Sequence, residues 1–353
     1  MSRSILIMAG GTGGHIFPAL AVADILRAQG WRVTWLGAPL SMEAELVPRH
    51  GYEMVWIRFS GVRRKGLLRL LRLPFDLLLA MWQSAAAILR KRPDVVLGMG
   101  GYITFPGGMM AALLRRPLVI HEQNSVAGLS NKVLAHVAQK VISGFPDVLP
   151  RAIWCGNPVR SDIAALPAPE QRYAARSGRL QVLVIGGSLG ARAINETLPQ
   201  ALALLAPELR PDVLHQTGKQ HYPAVQQAYR QAGVQAEIKP FMDEMAKHYG
   251  NADLVICRAG ALTVAELAAA GVASILIPFP FAVDDHQTRN AEFLSRHGAA
   301  VLLPQSELNA EKLAGLLQEL NREKLLAMAQ RARGLAKSDA AAAVAAICAG
   351  VAE

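Results

Sequence analysis

The sequence predicts an α/β protein built as two similar halves, each a parallel sheet joined by crossover helices. Three observations carry that reading. Short apolar runs alternate with helix-forming stretches along the chain. Two of the runs, Ile5-Leu6-Ile7-Met8 and Val182-Leu183-Val184-Ile185, lead into the glycine-rich turns Gly10-Gly11-Thr12-Gly13-Gly14-His15 and Gly186-Gly187-Ser188-Leu189-Gly190-Ala191. The turns stand about half a chain apart in 353 residues, enough for two domains with full cores. Strand, glycine turn and helix start together aim unpaired backbone N–H groups at a phosphate. Duplicated, the unit reads as twin Rossmann-like domains with a nucleotide in the cleft between them.

Buried parallel strands are short apolar runs bounded by turn residues. Residues 4–8, 31–36, 52–57, 94–97, 117–120 and 139–142 fit in the first half. Residues 181–185, 212–216, 236–239, 253–257, 273–277 and 299–302 fit in the second. Helical patterns cover 15–28, 127–137, 190–206 and 261–270, among others. Pro158, Pro167 and Pro169 place a hinge between Gly156 and Pro169, and the alanine-rich tail from Ser338 reads as helix.

Hydrophobic residues make up 52% and charged residues 18%, a globular composition that allows apolar surface. A formal charge of +10 favours an anionic partner, whether nucleic acid, anionic lipid or phosphorylated substrate. Cys155, Cys257 and Cys348 are scattered without metal-ligand spacing, which points to a reducing compartment and no structural zinc. The run Ile5–Ala9 is too short for a signal peptide. Val95–Leu114 is uncharged, but its five glycines and Pro106 fit strand, loop and helix better than a membrane span. The expectation is a soluble cytoplasmic protein able to touch a membrane.

In open α/β sheets, ligands bind beyond the carboxyl ends of the strands. His15, Tyr102, Asn124, Ser188, Arg258–Glu266 and Asp285–Asn290 all stand there. Neither second strand ends in the carboxylate that a dinucleotide ribose needs, and no Lys-Ser/Thr follows either turn. NAD and P-loop ATP chemistry both lose ground. Glu266 falls about one turn into the helix that opens at Ala261. There it either accepts from a ribose diol or stabilises the helix dipole by about 0.3–1 kcal/mol.

The motifs GGTGGH, HEQN (His121–Asn124), GNPVR (Gly156–Arg160), GGSLGA, CRAGALTVAE and DDHQTRNA follow in order from residue 10 to 291. Together they resemble the undecaprenyl-diphospho-muramoylpentapeptide β-N-acetylglucosaminyltransferase family of peptidoglycan synthesis. That resemblance implies a GT-B fold. Residues 1–160 would face acceptor and membrane, with a C-terminal helix near 338–353 packing back on them, and 161–337 would bind the donor. It implies inverting transfer of N-acetylglucosamine from UDP-N-acetylglucosamine to lipid I, giving lipid II. Donor contacts would come from Thr12, Gly13, Gly14, Asn124, Arg160 and Ser188. Met242 would meet the uracil, Ala261, Leu262, Thr263, Val264, Ala265 and Glu266 the nucleotide, and Gln287 with Asn290 the sugar. Tyr102 would border the acceptor, and Phe105 stands where the family pattern suggests a small residue.

The acceptor hydroxyl must lose a proton as it attacks. His15 is the first candidate base, because imidazole titrates near neutral pH, and a donor or loop-orienting role is its alternative. Glu122 is the second candidate base. Helix-end amides with Arg160 can carry the leaving diphosphate, so no cofactor is required and a divalent cation is at most stimulatory. Asp284-Asp285-His286 reads as helix capping in preference to a metal site. With Pro74 taken near a helix start, Leu77, Leu78, Met81, Ala85 and Ile88 fall on one face and Phe75, Leu79 and Trp82 on another. The second face, with Arg63, Arg64, Lys65, Arg69 and Arg72 nearby, suits an anionic surface. A helix buried on both faces is the alternative. The expected setting is the cytoplasmic face of the bacterial inner membrane, with other cell-wall or division proteins as further partners. Competing readings are a UDP-N-acetylglucosamine epimerase, a glycolipid glycosyltransferase, or a nucleic-acid-binding module. The last lacks an aromatic-plus-basic strand pattern.

Overall fold

The computed structural model describes residues 2–59, 67–187 and 190–352. The chain divides into two compact units, Met1–Arg160 with Lys337–Glu353, and Ser161–Ala336.

The first unit runs β1 (Ser4–Met8), α1 (Gly13–Ala28), β2 (Arg32–Gly37), α2 (Met42–Arg49), β3 (Glu53–Trp56) and α3 (Leu67–Lys91). It continues with β4 (Val95–Gly98), α4 (Thr104–Leu113), β5 (Leu118–Glu122), α5 (Leu129–Leu134), β6 (Lys140–Ser143) and β7 (Ile153–Trp154). The sheet is parallel in the order β3-β2-β1-β4-β5-β6-β7. Side chains alternate across it. Ile5 and Ile7 join one apolar cluster with Leu20, Val22 and Trp35, and Leu6 and Met8 join another with Leu36, Ile88 and Ile120. Each such side chain withdrawn from water contributes about 1.5–3 kcal/mol. The indole N–H of Trp35, fully enclosed, donates to the Ala9 carbonyl at 3.0 Å.

The second unit opens with α6 (Ser161–Ala164) and α7 (Pro169–Ala174). Then come β8 (Gln181–Ile185), α8 (Arg192–Leu204), β9 (Asp212–Gln216), α9 (Tyr222–Gln231), β10 (Glu237–Lys239) and α10 (Met245–Asn251). The unit closes with β11 (Leu254–Cys257), α11 (Ala261–Ala270), β12 (Ala273–Leu276), α12 (His286–Ser295), β13 (Ala300–Leu302), α13 (Ala310–Glu319) and α14 (Arg322–Gly334). Its parallel sheet has the order β10-β9-β8-β11-β12-β13. The buried Asp253 carboxylate anchors it, accepting from the Gln181 N–H at 2.8 Å and pairing with Arg176 at 2.7 Å. After α14 the chain re-enters the first unit as α15 (Ala340–Val351), whose Val344, Ala345 and Cys348 complete the cluster around Ile5 and Ile7.

Three expectations are corrected. Pro74 lies inside α3, which begins at Leu67. Proline forfeits its own helical N–H bond, and the leucine-rich run on both sides carries the helix through it. Leu78 joins the exposed row, 64% exposed, beside Phe75 at 74% and Trp82 at 69%, while Ala80, Ser84, Ala87 and Ile88 form the inner face. Asp285 stands at the N-cap of α12 in a left-handed conformation, φ 49°, with no side-chain bond to the helix backbone. Its carboxylate accepts instead from the Thr288 hydroxyl at 2.7 Å. The two-residue strand β7 has no counterpart among the expected strands, being too short to show a pattern. Among the described residues no helix is long and apolar enough to cross a membrane.

Candidate active site

In the first unit the site forms at the carboxyl ends of β1, β4 and β5. Thr12 is the N-cap of α1, and the N–H groups of His15 and Ile16 both return to its carbonyl, at 3.1 and 3.2 Å. Gly13 and Gly14 begin the helix, and the turn is tight because Gly101, which carries no Cβ, lies against the Gly10 backbone. A Cβ at Gly101 would stand 2.2 Å from the Gly10 carbonyl oxygen. The buried Glu43, on α2, holds the turn from behind. Its carboxylate accepts from the Gly11 N–H at 3.1 Å and the Ala38 N–H at 3.3 Å. Tyr102 lies beside Gly11, its hydroxyl pKa pushed up to about 12 by burial and then by the charge of Glu43. Phe105, in the first turn of α4, packs against the apolar cluster of Leu36 and Ile120.

His15, partly exposed, pairs through Nδ1 with the Oε1 of Gln123 at 3.0 Å. Glu122 is placed differently from an open base. One oxygen accepts from the Asn124 N–H at 2.9 Å; the other accepts from the Gly128 N–H at 3.1 Å and the Asn131 amide at 2.8 Å. Four hydrogens of its own loop thus crowd a carboxylate that is almost fully enclosed. The geometry gives Glu122 the work of shaping the loop that presents Asn124. Arg160 is half-buried at the end of the unit.

In the second unit, α11 opens on Gly260, which has no side chain to cap the helix. The first bond inside the helix is Val264 N–H to the Gly260 carbonyl, at 2.9 Å. The N–H groups of Ala261, Leu262 and Thr263 therefore have no intrahelical acceptor and face outward from a positive dipole end. Val264 is buried and Ala265 half-buried behind them. Glu266 is only 7% exposed and accepts from the Tyr249 hydroxyl at 3.1 Å, so it is a positioned carboxylate and not an open surface group. Asn290 is enclosed and donates to the Ala259 carbonyl at 3.1 Å, fixing the residue before the helix cap. Gln287 Oε1 accepts from the Phe279 N–H at 2.9 Å, which ties α12 to the strand-end loop through the amide oxygen. The Met242 N–H donates to Gln216 Oε1 at 3.0 Å, and the Gln216 amide donates to the Gly187 carbonyl at 3.1 Å. One side chain thus links the expected uracil segment to the second glycine turn. Ser188 lies outside the described residues, as do Arg63, Arg64 and Lys65.

Below that turn, the Asn195 amide donates to the Thr217 carbonyl at 3.0 Å, and its oxygen accepts from His215 at 3.0 Å. Burial pushes the His215 pKa down to about 3, so the ring is neutral. Sequence reasoning passed over Glu43, Gln123, Gln216 and Tyr249. Gln123 alone carried a signal, its place inside HEQN.

Residues 5–143 match the glycosyltransferase family 28 N-terminal domain, and residues 181–345 match the glycosyltransferase family 28 C-terminal domain. A UDP-N-acetylglucosamine–N-acetylmuramyl-(pentapeptide) pyrophosphoryl-undecaprenol N-acetylglucosamine transferase of Dechloromonas aromatica is 61% identical over 353 residues, 100% of both chains. The chain belongs to glycosyltransferase family 28. The transferase of the same description from Azoarcus sp. is also 61% identical, over 99% of each chain. Among solved structures, Acinetobacter baumannii MurG superposes with a TM-score of 0.86 at 41% identity, covering 99% of each chain. The calicheamicin glycosyltransferase CalG4, at 17% identity and TM-score 0.72, shares the fold alone. So does the UDP-GlcNAc 2-epimerase of Neisseria meningitidis, at 11% and 0.64. The glycosyltransferase thus has the α/β GT-B fold. Fold likeness spans transferases and epimerases alike, and only the full-length identity separates them.

Proposed function

We propose that this glycosyltransferase moves N-acetylglucosamine from UDP-N-acetylglucosamine to the muramoyl 4-hydroxyl of lipid I, giving lipid II and UDP. The observation that carries the reading is the 61% identity over the whole chain to N-acetylglucosamine transferases of that description. The acceptor oxygen attacks C1 of the donor sugar from the face opposite the diphosphate, and the C1–O bond to UDP breaks, so the configuration inverts. His15 takes the hydroxyl proton. The open amides at the start of α11, those of the second glycine turn with Ser188, and Arg160 hold the departing diphosphate. A divalent cation is not required. Glu266, held by Tyr249, receives the ribose hydroxyls, the Met242 backbone faces the uracil, and Gln287 reads the sugar. Thr12, Gly13, Gly14 and Asn124 are assigned to donor contacts, and Tyr102 to the border of the acceptor.

The polyprenyl tail of lipid I requires a membrane surface, and the exposed row Phe75, Leu78, Leu79 and Trp82, with Arg72 exposed nearby, suits peripheral attachment to the cytoplasmic leaflet. The deciding experiment is incubation with UDP-N-acetylglucosamine and a short-chain lipid I analogue, followed by mass analysis. A disaccharide product supports the reading, and an epimerised donor without transfer overturns it. Replacing Phe75, Leu79 and Trp82 together by serine should cut co-sedimentation with anionic vesicles at least tenfold while leaving UDP binding unchanged. Equal co-sedimentation by the folded variant would place the membrane surface elsewhere.

A further inference from the structure

Behind His15 runs a chain of hydrogen bonds whose direction is fixed at both ends. Gln123 is buried, and its Nε2 lies 2.8 Å from the Met99 carbonyl oxygen and 3.2 Å from His121 Nδ1. His121 is enclosed too, and its Nε2 lies 2.9 Å from the Gly156 carbonyl oxygen. A carbonyl can only accept. His121 must therefore carry its proton on Nε2, which leaves its Nδ1 as an acceptor. The Gln123 NH2 must donate both to that nitrogen and to Met99, since the flipped amide would set oxygen against oxygen. The Gln123 oxygen is then the atom that faces His15 Nδ1 at 3.0 Å, and it can only accept.

We propose that Gln123 is a positioning residue that holds the His15 proton on Nδ1 and so keeps Nε2 bare to receive the acceptor's proton. This rests on the reading of His15 as the base. Two neighbours hold the arrangement. The Asn157 amide donates to the Gln123 carbonyl at 2.9 Å, pinning its backbone. Gly100, at φ +90°, leaves the space that the pair fills. A Cβ there would stand 2.7 Å from His15 Nδ1 and 3.0 Å from Gln123 Oε1. Burial also keeps His121 neutral, its pKa lowered to about 4, so the direction of the chain does not reverse as the pH falls through the neutral range. An imidazole free in water divides its proton between the two nitrogens, and a base whose lone pair sits on the wrong nitrogen cannot act. Selecting the tautomer through a neutral amide avoids a second charge beside the base, where other enzymes use a carboxylate.

The test is nitrogen-15 NMR of the full-length protein with labelled histidine, the His15 signals being those lost in His15→Gln. The wild type should show a bare Nε2 and a protonated Nδ1. Gln123→Met, which keeps the volume and removes the acceptor, should shift His15 toward the Nε2–H form. It should lower kcat about tenfold, part of the ~10²–10⁴ that a positioned base supplies, with KM for UDP-N-acetylglucosamine unchanged. A merely structural Gln123 would lower the melting temperature without moving the tautomer. A wild-type His15 protonated on Nε2, or a tautomer unmoved in Gln123→Met, overturns the proposal. Wild-type turnover by His15→Gln would instead sink the base reading, and the tautomer measurement distinguishes the two failures because it needs no turnover.

Discussion

In the turn after β1, the Gly11 N–H is already taken by the buried carboxylate of Glu43, and the missing side chain of Gly10 is what admits that carboxylate. A Cβ at Gly10 would stand 2.6 Å from Glu43 Oε1. In the turn after β8, the described side chains that brace it from below are neutral: the Gln216 amide on the Gly187 carbonyl, the Asn195 amide on Thr217, and an uncharged His215. Both turns have glycines at positive φ, Gly11 at 90° in the first and Gly187 and Gly190 at 79° in the second. Their surroundings nevertheless suit opposite tasks. A negative charge behind the first repels a diphosphate and suits a turn that presents a base, while the neutral second leaves the dipole of its helix available to an anion. A glycine turn shows that the backbone must come close to something. What it approaches is decided by side chains distant in sequence.

The contrast can be broken by experiment. The largest effect is expected for His15→Gln, which should lower kcat by about 10²–10⁴ and leave the donor KM unchanged. A changed donor KM with intact kcat would make His15 a donor-binding residue and not the base. Next is Gln216→Glu, which puts a charge under the second turn. UDP affinity measured by calorimetry should fall about 10- to 100-fold, the range of like-charge repulsion at an effective dielectric near ~20. Gln216→Leu should cost less, and equal losses would assign the effect to packing. Glu43→Gln should destabilise the fold by about 2 kcal/mol in urea melts, because charge-assisted bonds to Gly11 and Ala38 become neutral ones. It should spare UDP binding, and weaker UDP binding would show that the two turns share one task.

The smallest effect is on acid sensitivity. Burial lowers the His121 pKa to about 4 and the His215 pKa to about 3, against an ordinary 6.5. Between those values and 6.5 the unfolded chain binds more protons than the folded one, so stability falls as pH drops below 6.5 and levels off near pH 3–4. His215→Gln should flatten that slope relative to wild type when urea midpoints at pH 7 and pH 5 are compared. An unchanged slope would mean that His215 protonates without unfolding cost.

Much of this was legible in the chain. Strands that are apolar on both faces, such as β1 and β8, announce themselves, and residues just past their carboxyl ends become candidates by topology alone. Harder to read were residues whose role is set by a distant partner. Glu43 looks like a first-turn glutamate of α2, and only folding brings it under Gly11. Glu266 was singled out from the sequence as a candidate, but its burial and its bond to Tyr249 were not legible, since nothing local to α11 specifies α10. Glu122 looked like a base because carboxylates in motifs often are, whereas the groups that donate to it sit two to nine residues further on. Pro74 misled by a general rule of helix starts that a long leucine-rich helix overrides.

The last helix, α15, has a consequence for how the molecule is made. Its Val344, Ala345 and Cys348 are enclosed against side chains of α1 and β1, so the core of the first unit is finished by residues synthesised after the whole of the second. On the ribosome the second unit can close its sheet while the first still lacks a wall. The half that begins first matures last, and a nonsense codon just before Ala340 would spare the second unit's own core while leaving an apolar gap in the first.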